Sequence, residues 1–322
     1  MTLDFVRHRR WFYVLSLAIM LPGLISLALP GGLRSGIDFT SGTIMTLRFD
    51  RPVDQAEVRQ AFAEMGHPEA IVQRSDEGSY LVRTLPFEQA ISESVESEMQ
   101  TERQIVVAGL GERFGRVEVL GLDHVSPIIA TEIVRYAVLA VVAACGGILL
   151  YLWWSFRKVP HPVRYGTCAV AALVHDALVV LGIFSILGRL FSIEIDAMFI
   201  TAILTVIGFS VHDTIVVFDR IRENIVRHAG EPFADVVNHS LIQTLGRSLN
   251  TSVTVVLTLV ALLLFGGVTI RTFVLALLIG IVSGTYSSIF NASLLLYSWE
   301  HGELGNFWRR LTGRRLRPVP AA

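Results

Sequence analysis

The chain has 322 residues, 52% of them hydrophobic and 17% charged, with a mean hydropathy of +0.56. That balance belongs to a membrane protein, and the formal net charge of −1 conceals a segregation: residues 31–130 hold 16 Asp and Glu against 9 Arg, while basic residues elsewhere gather in short segments, with Lys158 the only lysine. No basic folded face interleaved with aromatics is present to bind nucleic acid, and Cys145 and Cys168 both fall in apolar runs, where small buried side chains are expected rather than a disulfide or a metal site.

Trp11 to Leu29 is a run of 19 residues without charge, preceded by Arg7, His8, Arg9 and Arg10. About 20 apolar residues span a bilayer, and flanking Lys/Arg stay in the cytoplasm, so 1–30 reads as a cytoplasmic N-terminus and a first span. The competing reading is a signal peptide cleaved near Ser26 to Ala28. The length of the run and the membrane-embedded remainder favour an anchor.

Residues 31–130 are polar and are expected to fold outside the membrane. Thr43 to Phe49 is strand-like. Val53 to Met65 has helical apolar spacing that ends at Gly66. Ala70 to Arg74 and Ser79 to Arg83 are short β-rich runs around a turn at Asp76–Glu77–Gly78. Phe87 to Arg113 contains a second helix, and Arg116 to Val125 alternates like a strand. The order βαββαβ is that of a ferredoxin-like α+β domain, and about a hundred residues suffice for a small core. The segment has no cysteine, so it would not depend on the redox state of its compartment. It shows no catalytic constellation, and His67 with its acidic neighbours reads as a solvated loop.

Residues 131–300 predict a bundle of five further spans, near Ile133 to Trp154, Thr167 to Leu187, Ala197 to Phe218, Leu249 to Phe265 and Thr272 to Trp299, with 301–322 a basic tail. Gly188 to Asp196 and Gly266 to Arg271 read as tight connections. Arg157, Lys158 and Arg164 sit between spans two and three, Arg220, Arg222 and Arg227 after span four, and five arginines from Arg309 to Arg317 in the tail, which ends in a disordered-looking Pro318 to Ala322. Counting basic residues in short segments puts both termini inside and 31–130 outside. Residues 233–248 carry an apolar stripe at Val236, Val237, Leu241 and Leu245, the pattern of a helix in the cytoplasmic interface that turns into the fifth span.

The chemistry is expected at Asp213. An ionisable side chain at membrane depth costs roughly 2.5–3.5 kcal/mol on insertion scales and is usually functional or partnered. Arg247 is its nearest candidate partner, because spans four and five run antiparallel around 219–246. A carboxylate held between an opposite charge and an apolar surrounding is pulled both ways, and where the two nearly balance it exchanges a proton near neutral pH. The alternatives are a permanent ion pair locking two helices, and an Arg247 that only snorkels to the interface. His212 reads either as a proton relay or as an interhelical hydrogen-bonding group. The heptapeptide from Val174 to Val180 echoes that from Val211 to Val217, so His175 and Asp176 repeat His212 and Asp213 in the preceding span. Two ionisable pairs in one bundle suggest a polar interior built for protons or ions, with a satisfied polar contact as the other reading of Asp176. Asp219, Arg220, Arg222 and Glu223 read as a solvated helix end or, more sharply, a docking surface. Neither HExxH, a P-loop nor Gly-x-Ser-x-Gly occurs, so enzymatic catalysis is not expected.

Several stretches together are specific: Gly36-Ile37-Asp38-Phe39-Thr40-Ser41-Gly42 after the first span, His175-Asp176 in the third, Asp213 through Asn224 in the fourth, and Gln243-Thr244 through Arg247 to Asn250-Thr251-Ser252 in the fifth. On these, and over nearly its whole length, the chain resembles the SecF family, partners of SecD in bacterial protein export and relatives of proton-driven RND transporters. The resemblance implies an accessory subunit of the Sec translocon in the bacterial inner membrane. With SecD and the SecYEG channel, and YajC as a further possible partner, it would use the proton gradient to draw unfolded preproteins outward after an ATP-driven motor has pushed them through. It implies no cofactor beyond protons. It maps the family's membrane carboxylate onto Asp213 and its arginine onto Arg247. The family motif reads GIDFTGG, so Ser41 replaces a glycine between Gly36 and Gly42, and many members have Asn where this chain has His212. An RND-type exporter of small molecules or lipids is the alternative function, against which stands the single external domain. A scaffold whose polar residues only bind helices together is a third.

Overall fold

The computed structural model describes residues 4–74, 78–86, 95–157, 159, 161–267 and 270–303, with 95–102 as backbone only. Outside the described residues lie most of the predicted turn at Asp76 and Glu77, the start of the second helix of the polar segment, Lys158, part of the 266–271 connection, and the arginine-rich tail with its predicted disordered end. The chain divides into two compact units, Ser35–Val138 and the remainder.

In the first unit a short helix α2 (Ile37–Thr40) leads into β1 (Gly42–Phe49). Then follow α3 (Gln55–Glu64), β2 (Ile71–Arg74), β3 (Ser79–Thr84), α4 (Val95–Phe114) and β4 (Val117–Val125). The sheet order is β2-β3-β1-β4 with every neighbouring pair antiparallel, which is the ferredoxin-like arrangement. Asp54 caps α3 by accepting from the Ala56 N–H at 2.8 Å, and Val58, Ala61 and Phe62 then fall on one buried face. That face and Val106, Leu110 and Phe114 of α4 close over Met45, Leu47, Tyr80 and Val82 of the sheet. His67, expected in a solvated loop, is buried. Its Nδ1 meets Thr84 Oγ1 at 3.2 Å because the turn after α3 folds the ring under the end of β3.

The glycine motif shapes the entry to this sheet. Gly42 has φ +141°, and a Cβ there would lie 2.8 Å from the Thr84 carbonyl oxygen. Ser41 sits at φ 63°, ψ 165°, a region that only glycine occupies comfortably and that costs other residues about 1–3 kcal/mol. Ser41→Gly is therefore expected to stabilise this unit by about 1 kcal/mol, read as an upward shift in the denaturation midpoint; an unchanged or lower midpoint would mean that the serine is not strained.

The second unit contains most of the long apolar helices. Among the described residues, six are long and apolar enough to cross a membrane: α1 (Arg9–Ala28), α5 (Pro127–Ser155), α6 (Pro162–Phe191), α7 (Ala197–Arg227), α8 (Phe233–Phe265) and the final span Arg271–Glu300. The second span begins at Pro127 rather than near Ile133, and the predicted interfacial helix runs without a break into the fifth span as α8. The final span is α9 (Arg271–Tyr286) and α10 (Ser293–Glu300) joined by a π-helical stretch, Ser287–Ala292. The buried core belongs mainly to α6, α7 and this final span.

The ends of the bundle are tied together. Arg9 pairs with Glu303, Arg164 with Glu300 at 2.6 Å, and Phe12 stacks on Phe290 with ring centroids 4.4 Å apart. The hydrogen bond from Arg9 holds the Glu303 carboxyl below its usual 4.5. The stabilisation it gives is complete above that ordinary value and is lost as pH falls through the lower, folded-state value. The melting-temperature gap between wild type and Glu303→Gln should thus be present at pH 7 and close below about pH 4; a gap independent of pH would show that the pair contributes by packing alone.

Candidate functional site: a polar layer in the helical bundle

Asp176 lies on the inner face of α6 and is fully buried. Ser210 of α7 and Ser287 of the π-helical stretch donate to its Oδ2 at 2.7 and 2.6 Å. Ser283 of α9 donates to Oδ1 at 3.0 Å, and His175 Nδ1 is 3.2 Å from the same oxygen. Three spans thus converge on one carboxylate. They can approach because α9 presents small residues at every fourth position. A Cβ on Gly280 would collide with Val206 of α7, and one on Gly284 would lie 3.2 Å from the Ser210 Cβ and 3.5 Å from Asp176 Oδ2. The next residue in that stripe, Ser288, donates to the Ser210 carbonyl at 3.3 Å. The π-helical turn begins where these serines are, the kind of irregularity that recurs at functional sites.

Asp213 is one turn further along α7 and is 3% exposed. Its Oδ1 is 3.7 Å from His212 Nδ1, an ion-pair distance too long for a hydrogen bond. Its Oδ2 is buried and has no hydrogen-bond partner. Leaving a buried polar atom unsatisfied costs about 1–3 kcal/mol, so the two carboxylates differ sharply: Asp176 is caged by hydroxyls, Asp213 is half-satisfied. His175 Nε2 and Ser248 Oγ are likewise buried without partners.

Arg247 and Asp213 are not brought into an ion pair. Asn224 Nδ2 bonds Ser240 Oγ at 2.8 Å and Gln243 Oε1 at 3.1 Å, which fixes the register of α7 against α8. Eleven residues along each helix, this register sets Asp213 opposite Thr251, about one turn past Arg247. The face of α8 turned inward carries Thr244, Ser248 and Ser252, while Arg247 is on the exposed face. His212 also points outward, with 66% of its side chain exposed. The helix-end charges satisfy one another locally, Asp219 with Arg222 at 2.6 Å and Glu223 with Arg220 at 2.8 Å and Arg227 at 2.6 Å, as a solvated helix end would.

Gly36, Asp38 and Gly42 belong to the turn into β1, where Thr40 Oγ1 bonds the Gly36 carbonyl at 3.0 Å. The serines around Asp176 escaped sequence reasoning, although the four-residue spacing of Gly280, Gly284 and Ser288, with Ser283 and Ser287 beside it, is a readable signal in an otherwise apolar span.

Comparison with known proteins agrees with this architecture. Residues 106–302 match the family model described as protein export membrane protein SecD/SecF, C-terminal, and residues 32–53 match the SecD/SecF GG motif. Protein translocase subunit SecF of Thermobaculum terrenum is 53% identical over 311 residues, 96% of this chain and 97% of that protein. The Anaerolinea thermophila protein of the same name is 41% identical over 312 residues, with 96% and 97% covered. Among solved structures, that of SecDF from Thermus thermophilus, described as a translocon-associated membrane protein, superposes with a TM-score of 0.75 at 34% identity over 94% of this chain. The chain spans only 39% of that longer polypeptide. With its glycine motif, its six long apolar helices and this likeness along nearly its whole length, the chain belongs to the SecD/SecF family of protein-export membrane proteins.

Proposed function

We propose that the chain is the SecF-type subunit of a Sec protein-export translocase and that, with a SecD-type partner beside the SecYEG channel, it converts proton entry into outward movement of preproteins. Its relatives are named translocase subunits, and the matched structure is of a longer chain named SecDF and described as translocon-associated. The observation that carries the coupling reading is the buried, unpartnered Oδ2 of Asp213 in a membrane span. A proton arriving there gives that oxygen the hydrogen it lacks and removes a charge from the bundle interior. Each charge moved through 100 mV is worth about 2.3 kcal/mol, close to a fifty-fold shift in a two-state equilibrium.

The positions of His212 and Arg247 bear on the partner. Two ionisable side chains on the exposed faces of membrane helices need polar company, which a SecD-type bundle packed against α7 and α8 would supply. Arg247 would then pair directly with Asp213 only in the complex. The basic residues of the short connections favour cytoplasmic termini and an exported Ser35–Val138 unit in the inner membrane. The test is release of a preprotein from sealed vesicles containing or lacking the chain, with and without an uncoupler. Release that needs the chain only while a gradient is present supports the reading. Release that needs the chain equally without a gradient would leave a scaffold, and gradient-dependent transport of a small molecule in place of a preprotein would favour the exporter alternative.

A further inference from the structure

Asp176 accepts from Ser210 and Ser287 on Oδ2 and from Ser283 and His175 Nδ1 on Oδ1. Two donors on each oxygen use about all the lone pairs that a carboxylate has. An ionised carboxylate only accepts, so a neutral His175 ring keeps its hydrogen on Nδ1 and presents a bare lone pair at Nε2. That Nε2 is buried and has no hydrogen-bond partner. The register of α1 against α6 identifies what it faces. The two helices touch at Gly23 and Gly182, where a Cβ on either glycine would meet the backbone of the other. They touch again at Ser26 and Ser185, whose hydroxyls are 2.7 Å apart and which are separated by 159 residues of chain. Ser16 and His175 have the same separation, and each comes seven residues before its helix's glycine. Seven residues are about two turns, so both side chains fall on the facing stripes that carry the glycines. Ser16 is buried and belongs to a second polar cluster. Its Oγ is 2.9 Å from Asn291 Oδ1, 2.7 Å from Asn291 Nδ2 and 3.3 Å from Tyr286 Oη, and Tyr286 donates to the Phe12 carbonyl at 2.7 Å.

We propose that His175 is a proton relay between Asp176 and the cluster of Ser16, Tyr286 and Asn291 beside the first span. This rests on the proton-coupling function proposed above and gives the caged carboxylate a part in it. A proton arriving through the cluster binds Nε2, and the Nδ1 proton crosses to Asp176 Oδ1. The ring is left as its other neutral tautomer and the carboxylate as a neutral acid, so one negative charge disappears from the bundle interior. The bond between His175 and Asp176 survives with donor and acceptor exchanged, and the three serines keep their acceptor. An imidazole suits this step because one ring nitrogen can take a proton while the other gives one up. The titratable groups set towards the ring are Asp176 of its own helix and Tyr286 of the final span, while α1 faces it with the neutral Ser16. Ser16 is then the positioning residue, the hydroxyl that hands the proton to Nε2, directly or across one bridging water.

The test uses the full chain with its partner subunit in vesicles, with the histidine ring nitrogens isotopically labelled and read by solid-state NMR, which separates a bare ring nitrogen from one bearing hydrogen. The signals lost in His175→Gln belong to His175. At about pH 8 its Nδ1 should bear hydrogen and its Nε2 should be bare, and at about pH 5 the Nε2 should bear hydrogen. Ser16→Ala should shift the Nε2 signal, and Ser16→Thr, which keeps the hydroxyl, should restore it. In His175→Gln the stimulation of preprotein release by a gradient should fall at least about ten-fold of the fifty-fold available. An Nε2 that bears hydrogen at both pH values or at neither, an Nε2 signal indifferent to Ser16→Ala, or full gradient stimulation in His175→Gln would each overturn the proposal. The Ser16 variants leave the ring in place, so they decide the matter even where His175→Gln assembles poorly. The NMR states are read without transport, so a failure of gradient coupling is seen separately from a failure of the relay.

Discussion

Asp213→Asn should abolish the stimulation of preprotein release by a proton gradient while leaving the protein assembled. The amide matches the carboxyl in shape, keeps an oxygen in contact distance of His212, and replaces the buried, unpartnered Oδ2 by an uncharged NH2. No hydrogen bond shorter than the 3.7 Å contact with His212 is shown for Asp213, and the amide leaves one unpartnered polar group where there was one before, so the melting temperature should hold. The stimulation available from one charge crossing 100 mV is close to fifty-fold, and in the variant it should fall to the level that an uncoupler imposes on wild type. Asp176→Asn is the control that separates the two carboxylates. Its oxygens accept from Ser210, Ser283 and Ser287, and an amide nitrogen cannot accept, so at least one serine must give up its donation and reorient, which should destabilise the polar layer by about 1–3 kcal/mol. A variant at Asp213 that still responds fully to the gradient would place coupling elsewhere and reduce Asp213 to a structural residue.

The contrast between those carboxylates shows what the sequence could convey. Hydropathy and charge were enough to locate the spans; for Trp11 to Leu29 the length of the run favoured an anchor over a cleaved signal peptide. The strand order of the polar unit followed from alternation and turn residues, and the final sheet needs only the pairing rule of the split βαβ motif. Asp213 and Asp176 stood out because carboxylates in lipid are expensive. Their environments did not, because these depend on helix rotation. Arg247 is near Asp213 along the fold, yet one residue's turn sets it on the exposed face of α8 while Ser248 faces inward. Nor could periodicity reveal the π-helical stretch, which widens the helix where Ser287 and Ser288 enter the polar layer. His67 was misread for the same reason, since a polar residue beside acids looks solvated until a neighbouring strand end covers it.

Gly182→Ala should loosen the first span from the third. Gly23 of α1 and Gly182 of α6 meet backbone to backbone, and a Cβ on Gly182 would stand 2.7 Å from the Gly23 Cα. Carbon atoms settle near 3.5–4.0 Å, so the helices must separate by about 1 Å or rotate, with an overpacking cost of about 1–3 kcal/mol. The shift would spread to the bonds that depend on this approach. Ser26 and Ser185 are 2.7 Å apart, Ser185 donates to the Gly32 carbonyl at 2.8 Å, and Arg189 reaches the carbonyls of Ser26, Leu29 and Pro30 at 2.9, 2.9 and 3.0 Å. Arg189 thereby supplies donors and positive charge to the otherwise open C-terminal end of α1. Beyond it, the Ile195 N–H bonds the Arg34 carbonyl at 2.9 Å, so the connection leaving α1 is held by α6 and the loop after it. Asp176 is on that same α6, 13 residues before Arg189, about 20 Å of continuous helix. A displacement of α6 started in the polar layer would, by these contacts, be expected to reach the segment after α1. Gly182→Ala should lower the melting temperature and expose residues 29–36 to protease, and should reduce gradient-driven release even at temperatures where the protein stays folded. Arg189→Gln, which spares the glycine contact, should expose the same connection with a smaller loss of stability. Melting and proteolysis of Gly182→Ala indistinguishable from wild type would mean that α1 is free to move against α6, and the transmission would then have to run through α7.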